Sequence, residues 1–233
     1  MIEQVWLRAS AAEKVDRLII ATDDSRVLDA AAGFGAEAMM TSPDHATGTD
    51  RVAEVVRNVD EDFRIVVNIQ GDEPLLTPSA LDRLISAFDR SPTPQMATLA
   101  EPIRSSEELF DPNVVKLVAA RDGRALYFSR SAIPYHRGNA KRLQADFGAQ
   151  LVDRTGGLSE YRKHQGIYAY TAETLLALTG LSPSPLELDE GLEQLRALQA
   201  GYSIHVVDSG FHSLSVDEPA DLERVARVLT EAN

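Results

Sequence analysis

Residues 65–69 read Ile-Val-Val-Asn-Ile, β-branched at all but one position and without alternation of apolar and polar side chains. A strand with one wet face alternates; a strand covered on both faces does not. This run therefore predicts a central strand buried between helical layers, and so an α/β architecture. The neighbouring segments agree. Ile2, Val5, Trp6 and Ala9 recur at helical spacing, Leu18 to Ala21 reads as a buried strand, Val27 to Ala32 as a helix and Ala36 to Met40 as a strand. A further helix is expected to begin near Thr49, and another to cover Ser79 to Phe88.

Beyond this alternating half, strands are expected at Met96–Ala100, Val114–Ala119, Ala125–Ser129 and Gly166–Tyr170, with Arg121-Asp122-Gly123 as a hairpin turn. Tyr135 to Lys163 has no firm period and reads as a long loop. Leu186 to Ala200 reads as one amphipathic helix stopped at Gly201, Ile204 to Val207 as a strand, and Ala220 to Leu229 as a closing helix. The order predicts a Rossmann-like layered sheet with antiparallel additions.

Composition narrows the function. Hydrophobic residues are 44% and charged residues 25% of 233, and no apolar run approaches the roughly 18 residues of a membrane span, which excludes disorder and a transmembrane helix. The opening M-I-E-Q-V-W lacks a signal peptide's features. Cysteine is absent, excluding disulfides and thiolate chemistry, so a cytoplasmic setting is expected. Lys and Arg total 23 against 36 Asp and Glu, a net charge of −13 that repels polyanions and argues against a nucleic-acid partner.

Five segments carry candidate chemistry. In N-I-Q-G-D-E-P, Gln70 ends the central strand, Gly71 permits a tight turn, and Asp72 and Glu73 place carboxylates where open α/β sheets bind ligands. Hard oxygen donors there suit Mg²⁺, although acidic residues after a strand also serve as ordinary turn residues. In D-H-A-T-G-T-D-R, Thr47 and Thr49 are N-cap candidates and Gly48 allows close approach of a bound group. Arg51 sits in the first helical turn, where it opposes the helix dipole. In K-H-Q-G-I-Y-A-Y, the even spacing of His164 and Tyr168 places both on one face of a strand, and Gly166 marks a close approach. A half-buried strand with a satisfied histidine fits the same pattern. Arg130, closing F-S-R, can meet a carboxylate or form a surface ion pair. Asp217, in V-D-E-P, is an N-cap candidate or a second metal carboxylate.

Taken in order, A-T-D-D (21–24), D-H-A-T-G-T-D-R, V-N-I-Q-G-D-E-P, M-A-T-L, D-P-N-V-V-K, A-L-Y-F-S-R, H-Q-G-I-Y-A-Y, S-P-L-E, L-E-Q-L-R and V-D-E-P resemble the 3-deoxy-manno-octulosonate cytidylyltransferases, the CMP-Kdo synthetases of lipopolysaccharide assembly, over nearly the whole chain. The resemblance implies a three-layer nucleotide-diphospho-sugar transferase fold: a mixed, mostly parallel sheet with an antiparallel dimerisation hairpin region around Val114 to Arg130. It implies transfer of CMP from CTP to Kdo with loss of pyrophosphate. Asp72 and Asp217 would hold Mg²⁺ as the catalytic carboxylates. Gln70, Arg130, His164, Tyr168, Glu187 and Gln194 would bind Kdo, with Gly48 and Arg51 near the nucleotide. Glu187 and Gln194, seven apart, would share one helix face.

Family members open with a strand and a basic loop, R-x-x-S-x-R-L-P-x-K-P, followed by a methionine equivalent to Met1. The resemblance thus implies one cytidylyltransferase domain over 1–233, N-terminally incomplete relative to the family. It would lack a strand beside Leu18 to Thr22 and the cations that neutralise a triphosphate, with impaired turnover. Alternatives are the same reaction on an 8-amino-Kdo or sialic acid type sugar, or a non-catalytic nucleotide-binding or dimerisation remnant.

Overall fold

A computed structural model describes residues 1–135, Leu158, 161–213 and the helical residues Glu223, Val225, Arg227 and Val228. Asp217, most of the loop expected from Tyr135 to Lys163, and most of the closing helix expected at Ala220–Leu229 lie outside the described residues. The first half alternates as expected: α1 (Ile2–Ser10), β1 (Ile19–Thr22), α2 (Ser25–Gly33), β2 (Glu37–Met40), α3 (Gly48–Asn58), β3 (Ile65–Asn68) and α4 (Pro78–Ser86). Local chemistry sets the helix starts. The Asp24 carboxylate accepts from the Arg26 amide, the Thr47 hydroxyl accepts from the Asp50 amide, and Pro78 occupies the first turn of α4.

The second half comprises β4 (Met96–Pro102), α5 (Ser106–Phe110), β5 (Lys116–Ala119), β6 (Ala125–Ser129), β7 (Arg162–Thr171), α6 (Ala172–Leu178), α7 (Pro185–Glu190), α8 (Gln194–Gln199) and β8 (Ile204–Asp208). The hairpin between β5 and β6 turns at Gly123, whose φ of 87° belongs to the left-handed region and whose missing Cβ leaves room for the His205 ring. Two expectations are corrected. The strand expected at Gly166–Tyr170 begins at Arg162, because its first residues pair with β5 as well as β4. The single helix expected over Leu186–Ala200 is two. Ser184 and Glu187 form a reciprocal capping box that starts α7, and Gly191 ends it in the left-handed conformation at φ 61°, so Glu187 and Gln194 stand on different helices.

Six strands form one mixed sheet, β6-β5-β7-β4-β8, with β3 also paired to β7. β7 runs antiparallel to β4 along one edge; its other edge is divided, Lys163 and Arg162 meeting β5 and residues 168–171 meeting β3. Since β8 is parallel to β4, the strands β3, β4, β5 and β8 run one way and β6 and β7 the other. β1 and β2 make a separate parallel pair. Among the described residues no strand pairs with the second edge of β1, and a cleft of about 760 Å³ separates β1 from β3.

The main sheet carries a core on each face. On one, Met96, Phe128, Tyr170, Leu175 and Leu195 pack together; on the other, Leu81, Leu84, Phe88, Leu99 and Ile167 do so. Leu81 of α4 is fully buried. Leu81→Ala is expected to lose about 2–5 kcal/mol of stability in urea unfolding, whereas Leu7→Ala, at a site 46% exposed, changes it by less than about 0.5 kcal/mol. Equal losses at both would contradict this burial.

Candidate active site

The strand end at β3 forms the floor. Asn68 is buried and registers with Tyr168 of β7, and beyond it the chain turns through Gln70 and Gly71. Two glycines approach this floor. Gly48, opening α3, lies beside the Asn68 amide, where an added Cβ would stand 3.7 Å from Nδ2; one at Gly166 would stand 3.9 Å from Gln70 Cγ. Both glycines thus stand at ordinary van der Waals distance from the floor.

Side chains of β7 build one wall. The register against β4 jumps from Thr98↔Tyr168 to Leu99↔Gln165, inserting extra residues into β7 at Gly166 and Ile167. His164 and Tyr168 nevertheless share a face, with ring centroids 5.3 Å apart. The His164 ring stands edge-on to Phe128 at 5.1 Å and its Nε2 lies 3.0 Å from Thr98 Oγ1. Burial pushes this imidazole down to about 3, so it stays neutral at physiological pH. Burial likewise holds the Tyr168 and Tyr170 phenols protonated.

Glu193 and Gln194 close the wall from the start of α8. Thr47 Oγ1 donates to Glu193 Oε1 at 3.2 Å, joining the α3 N-terminus to α8. Burial raises the Glu193 pKa against the hydrogen bonds from Thr49 and Thr47. Among the described residues Gln194 Nε2 is buried without a hydrogen-bond partner, beside a cavity of about 20 Å³ lined by Tyr168, Tyr170 and Glu193. That volume accommodates roughly one water.

Asp72 and Glu73 follow Gly71. Glu73 is 6% exposed; burial pushes it up to about 7, the Ser213 hydrogen bond opposes this and the neighbouring Asp72 charge adds to it. Beneath them Glu101 is buried. Burial acts against its charge, but hydrogen bonds from His212, the Ser213 amide and Gln165 hold it below the usual carboxylate range. Among the described residues no group of three or more His, Cys, Asp and Glu side chains is arranged to hold a metal. Asp72 supplies a hard oxygen donor at the strand end, which fits an Mg²⁺ ion taking one or two protein carboxylates and completing its shell with phosphate and water.

Three residues singled out in the sequence have their polar groups engaged by the protein. Arg51 bonds Thr41 Oγ1 at 2.6 Å and Asp23 at 3.2 Å. Arg130 donates to the carbonyls of Glu190 and Pro112 at 2.7 and 2.9 Å. Glu187 caps α7 and forms a two-pronged pair with Arg196 at 2.6 and 2.8 Å. Gln70, His164, Tyr168 and Gln194 by contrast belong to the floor and wall just described. Sequence reasoning missed Glu193 and Ser213. The signal for Glu193 was its place beside Gln194 in L-E-Q-L-R; Ser213 had none.

Comparison with known proteins gives a consistent picture. A family model described as cytidylyltransferase matches residues 1–204. The chain is 46% identical to the 3-deoxy-manno-octulosonate cytidylyltransferase of Syntrophotalea carbinolica, covering 97% of this chain and 86% of that protein. It is 47% identical to the protein of the same name from Syntrophobacter fumaroxidans, over 99% and 87%. Among solved structures, CMP:2-keto-3-deoxy-manno-octonic acid synthetase complexed with CTP superposes with a TM-score of 0.85 at 37% identity, covering 100% of this chain and 88% of that one.

The buried His164 has a pH signature. Its folded value lies below the ordinary 6.5, so protonation favours the unfolded chain: the stability is full above about pH 6.5 and is lost as pH falls toward 3. Relative to His164→Gln, the wild type is expected to lose up to about 1.4 kcal/mol per pH unit between pH 6 and 4. Urea titrations across that range measure it, and a constant difference between the two proteins would show a ring free to protonate in the fold.

Proposed function

The chain belongs to the cytidylyltransferase family, among the 3-deoxy-manno-octulosonate cytidylyltransferases, and we propose that it transfers CMP from CTP to Kdo, with residues 1–233 acting as one catalytic domain. The anomeric hydroxyl oxygen bonds to the α-phosphorus as the bond to the pyrophosphate oxygen breaks. The observation that carries this reading is the approach of β7 to the strand end: His164 and Tyr168 share a face with ring centroids 5.3 Å apart, and Gly166 between them lies against Gln70, two residues before Asp72.

Transfer of this kind asks for alignment and charge neutralisation more than covalent chemistry. Asp72 and Asp217 would hold Mg²⁺, which supplies charge neutralisation at the phosphates. Gln70, Tyr168 and Gln194 orient Kdo by hydrogen bonds, and the neutral His164 adds a polar edge without a competing charge. Gly48 lets the nucleotide come close to the α3 N-terminus, which favours negative charge. Arg130 and Glu187 would also bind Kdo and Arg51 would lie near the nucleotide, each oriented by its bonds to neighbouring parts of the protein. No helix among the described residues is long and apolar enough to cross a membrane. A cytoplasmic homodimer serving lipopolysaccharide assembly accords with this substrate pair.

The dimer reading draws on the outer edge of β6, where Leu126 is 51% exposed, and on Leu188 of the adjacent α7. Leu126→Glu is expected to shift sedimentation toward the monomer; an unchanged profile would move the interface elsewhere. A pyrophosphate-release assay with CTP, Mg²⁺ and a panel of Kdo, 8-amino-Kdo and sialic acid tests the reaction. Release is expected with Kdo, and Asp72→Asn is expected to lower it by about a hundredfold or more. Release that prefers another acid sugar would redirect the assignment.

A further inference from the structure

Glu190 holds Arg130 at both ends. Its carboxylate accepts from the Arg130 amide at 2.9 Å and from the Ser129 hydroxyl at 2.6 Å, while its backbone carbonyl accepts from Arg130 Nε at 2.7 Å. Tyr127 adds a longer bond, its hydroxyl donating to Glu190 Oε1 at 3.4 Å. Burial acts against the Glu190 charge, but the hydrogen bonds from Ser129, the Arg130 amide and Tyr127 hold it below the usual carboxylate range. The rest of the guanidinium meets the carbonyls of Pro112 at 2.9 Å and Gly191 at 3.4 Å. The turn carrying Pro112 is itself fixed: Lys116, fully buried, donates to the carbonyls of Asp111 and Val114 at 2.8 and 2.5 Å.

Ending α7 does not require this cradle, because Gly191 already does so in the left-handed conformation. What the cradle fixes is the direction of one cation at the margin of the wall. Phe128, two residues before Arg130, stands edge-on to His164 at 5.1 Å, and the chain leaving Gly191 reaches Glu193 and Gln194 within three residues. A guanidinium has five N–H groups. Among the described residues, its bonds to Glu190, Pro112 and Gly191 leave one on each terminal nitrogen, a pair suited to the two oxygens of a carboxylate. We infer that Glu190 is a positioning residue for substrate binding: it sets Arg130 so that these two N–H groups meet the carboxylate of the sugar acid. This rests on the proposed Kdo site and adds a residue that acts through one of its contacts. A long side chain held in its bound direction beforehand binds without the cost of being ordered at that moment.

The test is steady-state pyrophosphate release with CTP, Mg²⁺ and Kdo, together with the thermal midpoint. Glu190→Ala is expected to raise KM for Kdo about tenfold, while KM for CTP and kcat change by less than about twofold. Glu190→Gln keeps the size and one acceptor oxygen, so it should fold as the wild type does and shift KM for Kdo in the same direction by a smaller factor. Arg130→Ala should raise KM for Kdo at least as much as Glu190→Ala. Adding Glu190→Ala to it should change nothing further, because the carboxylate acts only through the guanidinium. If both Glu190 variants keep the wild-type KM for Kdo, whatever their thermal midpoints, while Arg130→Ala raises it, the cradle is structural and the inference is overturned while the Kdo contact stands. A double variant poorer for Kdo than Arg130→Ala gives Glu190 a separate role and again overturns it. An unchanged KM for Kdo in Arg130→Ala removes the sugar contact and the inference with it.

Discussion

Strand β7 gives the structure its arrangement because it has more neighbours than a strand's two edges ordinarily allow. One edge is hydrogen-bonded to β4 throughout; the other passes from β5 to β3 partway along. The extra residues at Gly166 and Ile167 take up the mismatch against β4 and set the directions of the flanking side chains. His164, Tyr168 and Tyr170 thereby form one row of neighbouring rings, while Lys163 and Gln165 turn to the buried charges around Glu101. Floor, wall and charged underside all depend on the course of this strand.

A chain of net charge −13 that binds anions must limit repulsion within its own site. It does so partly by shedding charge. Burial raises Glu73 and Glu193 toward their neutral forms, and His164 and both tyrosines contribute polar groups without ionising. Its cations are tied in: Lys116, fully buried, donates to backbone carbonyls, as Arg130 does, and Arg196 pairs with Glu187. These groups shape the walls, leaving fields at the mouth to helix termini and any bound ion.

Most strands were legible because burial on two faces leaves an unbroken β-branched run, as at Ile65 to Asn68, and the floor of the site followed from where that run ends. The first residues of β7 were not, since Arg-Lys-His-Gln carries no apolar signal and is strand only through pairing with β4 and β5. The break in the 186–200 helix hid behind a continuous amphipathic pattern; Gly191 alone marked it, and a lone glycine within a helical run is ambiguous. The partners that Arg130 and Glu187 have within the protein, the Glu190 carbonyl and Arg196, were not legible, because a side chain's partner is a tertiary fact. Ser213 illustrates the same limit, with 140 residues between it and Glu73.

The cleft between β1 and β3 has a mechanical consequence. Backbone hydrogen bonds transmit order from strand to strand, but among the described residues none of these ladders crosses it. The β1–β2 pair is joined to the remainder by side chains instead: buried Ile20 of β1, and the contacts of Arg17 with Glu61 at 2.8 Å, Arg51 with Asp23, and the Ser42 amide with Glu54 at 2.9 Å. The Arg17–Glu61 pair is exposed and individually weak, while the other two are partly buried. The register of the 19–40 region is therefore set independently of the larger sheet, and what relates the two is side-chain packing, not a shared ladder.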